Sequence, residues 1–113
     1  MFKLLLHVDT ADDRLGVALR NAGNALKALS GAPASIVLVA NGPAVQLLGK
    51  ANPDHAASLS ALMAQGVVVR ACGNSLNDFS LFPDFLVPGC EVVPAAIIEL
   101  VRLQGEGYAY VKP

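Results

Sequence analysis

The chain has 113 residues, which suits one domain with a single hydrophobic core and is too short for two. Hydrophobic residues make up 54% of it and charged residues 15%, against the roughly 25% charge of a typical soluble domain. We therefore expect an oligomer to cover part of its surface. The formal net charge is -1 and the eight Lys and Arg are scattered along the chain, which argues against nucleic acid as a partner.

The apolar runs are short and interrupted by Gly, Pro or charge, whereas a membrane-spanning helix needs about 20 apolar residues. We expect no association with a membrane. The N-terminal apolar run, residues 3–8, is too short for a signal peptide and leads directly into charged residues. We interpret it as the first strand of a cytoplasmic protein, in which Cys72 and Cys90 stay reduced.

The segment after this first strand predicts an amphipathic helix. Thr10 and Asp13 have the spacing of a capping box, and acidic residues favour a helix N-terminus. Apolar residues then recur at helical intervals as far as Gly31, where we expect the helix to end. They are Leu15, Leu19, Ala22, Leu26 and Leu29.

Two further strands and two helices are predicted in the middle of the chain. Residues 35–40 are apolar on both faces, which is typical of a buried parallel strand. Asn41-Gly42-Pro43 ends this strand and begins a short helix, because proline suits the first helical position. A second helix ends at Gly66, and residues 67–71 form the third strand.

The last third of the chain contains an irregular segment, residues 77–89, followed by two short strands that flank a helix. The strands are residues 91–93 and 108–111, and the helix runs from Pro94 to Gly105. Because apolar strands alternate with helices, we predict an α/β fold with three layers, α/β/α, around a parallel sheet of about five strands. The whole chain, residues 1–113, forms this single domain.

Ligands of such sheets bind outside the carboxyl ends of the strands. This edge carries a thiol, Cys72, at the end of the third strand, where a helix predicted to begin near Asn74 would lower its pKa. A protonated His7 would act in the same direction and a nearby Asp9 in the opposite one. The candidate catalytic residues are Cys72, His7 and Asp9, and the candidate ligand-binding residues are Asn41, Gly42, Gly73 and Asn74.

A buried Cys72 that serves only as a small hydrophobic residue is the alternative interpretation. Cys90 precedes the fourth strand and is expected at the opposite edge, more than ~10 Å away, which is too far for a disulfide. His7 and Cys72 lack a paired zinc-ligand spacing, so we predict no metal site. The chain also lacks glycine-rich nucleotide-binding motifs.

Aromatic residues of the irregular segment allow two interpretations. Phe79, Phe82 and Phe85 pack against the core or another subunit, or they form a hydrophobic lid that limits water at the thiol. Tyr108 and Tyr110 share one face of the last strand, where core packing is expected.

Several segments together resemble the DsrE/DsrF-like family of small α/β proteins linked to intracellular sulfur handling. They extend over the whole chain and include Ala-Cys-x-Asn-Ser/Thr-Leu around the thiol, a pattern of one branch of this family. The segments are residues 7–9, 39–48, 66–76, 92–104, 106–110 and 112–113.

The resemblance implies a three-layer α/β/α fold with a five-stranded parallel sheet and a homo-oligomer, commonly a trimer or a hexamer. It also implies that Cys72 occupies the position at which sulfur-relay members hold a persulfide. Sulfur would then pass from a donor protein to an acceptor protein without a cofactor.

Three hypotheses follow. The leading one is a sulfur-relay or sulfurtransferase-like protein with Cys72 as sulfur acceptor. The second is a non-enzymatic module that binds a small ligand at the same edge through Asn41, Gly42 and Asn74. The third is a structural or regulatory oligomer in which the segment from Phe79 to Phe85 forms the interface and Cys72 is merely packed.

Overall fold

The computed structural model describes all 113 residues and contains one parallel sheet of five strands. The strands lie in the order β4-β3-β2-β1-β5, and every neighbouring pair is parallel. They are β1 (Phe2–Val8), β2 (Ala34–Ala40), β3 (Val68–Cys72), β4 (Glu91–Val93) and β5 (Ala109–Val111). The predicted α/β fold with a parallel five-stranded sheet is confirmed.

Four α-helices and two short 3-10 helices connect the strands. The α-helices are α1 (Arg14–Leu29), α2 (Ala56–Ala64), α3 (Gly73–Asp78) and α4 (Ala96–Gly105). The 3-10 helices are Gly42–Leu48, directly after β2, and Pro83–Phe85, within the segment predicted to be irregular. None of the helices combines the length and the apolar character that crossing a membrane requires.

The two faces of the sheet are covered unequally. Side chains alternate between the faces along each strand, so Leu4 and Leu6 point to one side of β1 and Leu5 to the other. The first face packs against α1, α2 and α3 in a core of 21 buried residues. The second face packs against α4 alone, in a core of 7 buried residues.

A network of charged side chains holds α4 on the second face. Arg70 of β3 donates from Nε to Oε1 of Glu91 over 2.9 Å, and its Nη1 lies 3.6 Å from Oε1 of Glu99. Arg102 also binds Glu99, whose side chain is buried. A buried carboxylate needs such partners, because an unpaired charge away from water costs several kcal/mol. The network therefore fixes α4 relative to β3 and β4.

The predicted start and end of α1 were wrong. The capping box from Thr10 to Asp13 does not form, because the helix begins only at Arg14 and Asp13 makes no side-chain cap. Thr10 donates to Asp12 over 2.8 Å. Helix α1 ends at Leu29 rather than Gly31, since Ser30 already has the left-handed backbone angle φ of 50°. Helix α3 begins at Gly73, in agreement with the predicted start near Asn74, and follows directly on the last residue of β3.

The backbone approaches itself closely at Gly73. A Cβ atom on this residue would lie 3.0 Å from the carbonyl oxygen of Val93 and 3.5 Å from Cγ1 of Val92. Gly23, in the middle of α1, provides a contrast because no atom lies within 4 Å of the corresponding position. The absence of a side chain at Gly73 therefore leaves room for the end of β4 beside the end of β3, whereas Gly23 has no such role.

We expect Gly73→Ala to lower the free energy of unfolding by about 1–3 kcal/mol, because the added methyl group displaces the Val93 carbonyl. Gly23→Ala should raise it by about 0.5–1 kcal/mol through better helix propensity. Urea denaturation followed by circular dichroism measures both values. Equal effects of the two substitutions would contradict the steric role of Gly73.

Candidate functional site

Cys72 is the last residue of β3 and pairs with Val93 of β4 at the carboxyl edge of the sheet. Its side chain points to the second face, where it joins the core beneath α4 and is 5% exposed. The sulfur therefore lies between the end of a strand and the beginnings of two helices, α3 in sequence and α4 in space.

The start of α4 donates a hydrogen bond to this sulfur. The N–H of Ala96, the first residue of α4, donates to Sγ of Cys72 over 3.4 Å. Burial raises the pKa of the Cys72 thiol, but hydrogen bonding by the Ser75 hydroxyl and the Ala96 N–H more than offsets it. The backbone N–H groups of Ser75 and Asn74 act in the same direction. The pKa of Cys72 thus lies below its ordinary value, which favours the nucleophilic thiolate.

Ser75 lies in the first turn of α3 and contacts the end of β2. Its buried Oγ accepts a hydrogen bond of 2.7 Å from the N–H of Gly42, and the same hydroxyl favours the ionised form of Cys72. Gly42 can present its N–H in this way because its φ is +57°, a left-handed angle that favours glycine, and a Cβ there would lie 3.2 Å from the Asp9 carbonyl oxygen. Sequence reasoning missed Ser75, although its place in the first turn after Cys72 is the signal that could reveal it.

His7 makes hydrogen bonds at both ring nitrogens. Its Nε2 lies 2.7 Å from Oδ1 of Asn41, and its Nδ1 lies 2.6 Å from the Tyr110 hydroxyl. Because an amide oxygen only accepts, Nε2 donates, and in the neutral ring Nδ1 accepts the Tyr110 proton. Both nitrogens of His7 are therefore engaged by groups other than the Cys72 thiol. Tyr110 itself is 42% exposed and does not pack in the core as expected.

Asp9 is paired with the C-terminal segment. Nζ of Lys112 lies 3.0 Å from its Oδ1, and this hydrogen bond holds the pKa of Asp9 below its usual range in spite of partial burial. The carboxylate therefore stabilises the position of the chain after β5. Its negative charge is balanced by Lys112, which limits the opposing effect on the thiol that the sequence predicts.

The predicted ligand-binding residues are largely occupied by contacts within the chain. Asn41 binds His7, the Gly42 N–H binds Ser75, and Gly73 abuts the Val93 carbonyl. Asn74 is exposed. No cavity opens at this edge, and the cavity of the chain lies between α1 and α2. No cluster of three or more His, Cys, Asp or Glu is arranged to hold a metal ion.

Cys90 lies in a different environment from Cys72. It precedes β4 and packs against the core of the first face, and burial raises its pKa to about 11. Both cysteines are free thiols, in agreement with the predicted absence of a disulfide between them.

The structure contradicts the lid interpretation for Phe85 and its neighbour Leu81. Leu81 and Phe85 pack against the core of the first face, whereas Cys72 points to the second. The Phe85 ring occupies the space beside Gly49, where a Cβ would lie 2.5 Å from it. Phe82 is 73% exposed.

Comparison with protein families identifies the fold and its relationships. The model of the DsrE/DsrF-like family matches residues 3–113. The chain belongs to this family. No protein with a curated description matches the sequence of this DsrE/DsrF-like protein.

Solved structures agree over the whole length of this DsrE/DsrF-like domain. MTH1491 from Methanobacterium thermoautotrophicum, described as a protein of unknown function, shares 30% identity, with full coverage of both chains and a TM-score of 0.93. The ychN protein from E. coli shares 18% identity with full coverage and a TM-score of 0.78. BT1422 from Bacteroides thetaiotaomicron, a conserved protein of unknown function, shares 16% identity, with coverage of 96% of this chain and 94% of that chain, and a TM-score of 0.72.

We expect Ser75→Ala to shift the ionisation of Cys72 to higher pH, because the thiolate loses the hydroxyl that favours it. The midpoint of the iodoacetamide reaction rate against pH reports this pKa and does not depend on how far the sulfur is exposed. The experiment uses Cys90→Ser as background, so that only Cys72 reacts.

The matched control is Ser60→Ala, because Ser60 is an exposed serine on α2. It should leave the midpoint of the rate against pH unchanged. An unchanged midpoint in Ser75→Ala would show that the hydroxyl does not act on the sulfur.

Proposed function

We propose that this DsrE/DsrF-like protein is a sulfur-relay or sulfurtransferase-like protein that carries a persulfide on Cys72. The observation that carries the proposal is the placement of the sulfur at the start of α4, where the Ala96 N–H and the Ser75 hydroxyl favour its ionised form. A thiolate is the species that attacks sulfur in exchange reactions. Family membership supports the same chemistry.

The transfer is a nucleophilic exchange without net oxidation or reduction. The Cys72 thiolate attacks the terminal sulfur of a donor persulfide, a new S–S bond forms on Cys72, and the donor S–S bond breaks. The bonding electrons leave with the donor sulfur as a thiolate, which takes a proton from water. In the second half, a thiolate of the acceptor protein attacks the terminal sulfur, and Cys72 returns to its thiolate form. The exchange requires two partner thiols and no cofactor.

Access to the sulfur requires a conformational change or a partner. Cys72 is only 5% exposed, and the first turn of α4 lies over it through the Ala96 contact. We propose that the beginning of α4 opens transiently in the free protein, far enough to admit a small persulfide, and that a donor protein docks at this edge when it is open. A reducing compartment such as the cytoplasm suits the function, because a free thiol must persist between transfers.

A persulfide assay tests the proposal. Incubating the protein with a small-molecule persulfide donor and measuring the intact mass should show the addition of one sulfur atom, which dithiothreitol then removes. Cys72→Ser should abolish the addition. Cys90→Ser is the matched control and should retain it, because Cys90 has a pKa of about 11 and remains a thiol at neutral pH.

Wild-type protein that gains no sulfur would overturn the proposal, as would equal addition to Cys72→Ser. In that case Cys72 is a packing residue of a ligand-binding or regulatory module.

Self-association through the outer side of α4 is the second part of the proposal. Ile97, Ile98 and Val101 lie on one side of this helix and are 66%, 68% and 63% exposed, respectively. Three large aliphatic residues side by side on the thinly covered face form an apolar patch of the kind that subunits bury. We propose that copies of this chain associate here, as a trimer or a hexamer.

We expect Ile98→Glu to reduce the oligomer to monomers, because a carboxylate inside an apolar interface loses its hydration. Sedimentation velocity measures the mass in solution. Phe82→Glu introduces the same charge at the most exposed Phe of the irregular segment and should leave the oligomer intact. Dissociation by Phe82→Glu alone would instead assign the interface to the segment from Phe79 to Phe85.

A further inference from the structure

A cavity of about 370 Å³ lies between α1 and α2, on the side of the sheet opposite to Cys72. It falls within the usual range of 300–1,000 Å³ for small-molecule sites. Its lining includes five polar side chains: an arginine, an imidazole, a carboxylate, a hydroxyl and an amide. These are Arg20, His55, Asp54, Ser58 and Gln65.

Gly16 of α1 allows two of these side chains to converge. A Cβ on Gly16 would lie 3.6 Å from Cε1 of His55 and 3.7 Å from Nη1 of Arg20. The imidazole and the guanidinium therefore border the same point of the cavity wall. The two side chains are therefore close enough to contact one ligand in the cavity.

Arg20 is the one arginine of the chain without a carboxylate partner. Arg14 pairs with Asp12, Arg70 with Glu91 and Glu99, and Arg102 with Glu99 and Glu106. Arg20 makes no ion pair, even though Asp54 lines the same cavity. A guanidinium has five N–H donors arranged to bind carboxylates and phosphates, so this side chain is available for an external oxyanion.

We propose that this cavity binds a phosphate monoester that carries hydroxyl groups. Arg20, His55 and Ser58 bind the phosphate, which accepts hydrogen bonds from each of them. Asp54 and Gln65 bind the hydroxyl groups, since a carboxylate accepts from hydroxyls and repels a bare phosphate. The mixture of one cation and one anion in the lining thus selects an ester over inorganic phosphate.

The test is a titration of ¹⁵N-labelled protein with ribose 5-phosphate, followed by amide chemical shifts. Saturable shifts should appear around the cavity, at Gly16, Ser58 and Gln65. Arg20→Gln should weaken binding by about tenfold or more, because it removes a charge-assisted contact. Arg14→Gln is the matched control: it removes the same charge from the same helix outside the cavity and should leave the affinity within about twofold.

A second pair of measurements checks the contribution of Asp54. Inorganic phosphate should bind more weakly than ribose 5-phosphate, and Asp54→Asn should narrow this difference by strengthening the binding of inorganic phosphate. Absence of saturable shifts in the wild type, or equal affinities of Arg20→Gln and Arg14→Gln, would overturn the proposal. Cys72→Ser should bind as the wild type does, so the outcome is independent of the sulfur chemistry.

Discussion

The connection from β4 to β5 is the constraint on which the rest of the structure depends. These strands lie at opposite edges of the sheet, separated by four strand spacings or about 19 Å. The ten residues of α4 span about 15 Å of this distance as the chain crosses the second face. The helix begins at the carboxyl end of β4, beside the end of β3. This geometry brings the Ala96 N–H to the Cys72 sulfur.

The same connection explains the unequal cover of the sheet. The first three connections each join neighbouring strands and place their helices on the first face, where three helices share one core. Only one helix returns across the second face, and it cannot cover five strands. The Arg70 and Glu99 pair holds it in place, while Ile97 and Ile98 on its outer side stay exposed. Part of the high hydrophobic content of the chain is therefore found on the outer side of α4.

Much of the fold could be predicted from the sequence, because apolar runs and glycine or proline boundaries report local structure. The predicted order of elements and the position of Cys72 at a strand end both agree with the structure. Contacts between distant residues could not be predicted in this way. Ala96 is 24 residues from Cys72, and Tyr110 is 103 residues from His7, so only the topology reveals these hydrogen bonds. The predicted capping box does not form because the helix begins only at Arg14, with Asp13 at the N-cap position.

Cys72 is buried beneath the start of α4, so any movement that exposes its sulfur also lowers the reactivity of the thiol. The helix end that hides the thiol also supplies the N–H that favours its ionisation. A movement that withdraws α4 far enough to admit a large partner removes that donor and weakens the nucleophile. The Ser75 hydroxyl, held by Gly42 on the opposite side, does not depend on this movement. If α4 moves as proposed, the thiol keeps the part of its pKa lowering that Ser75 provides, and a small displacement preserves more of the thiolate than a complete opening does.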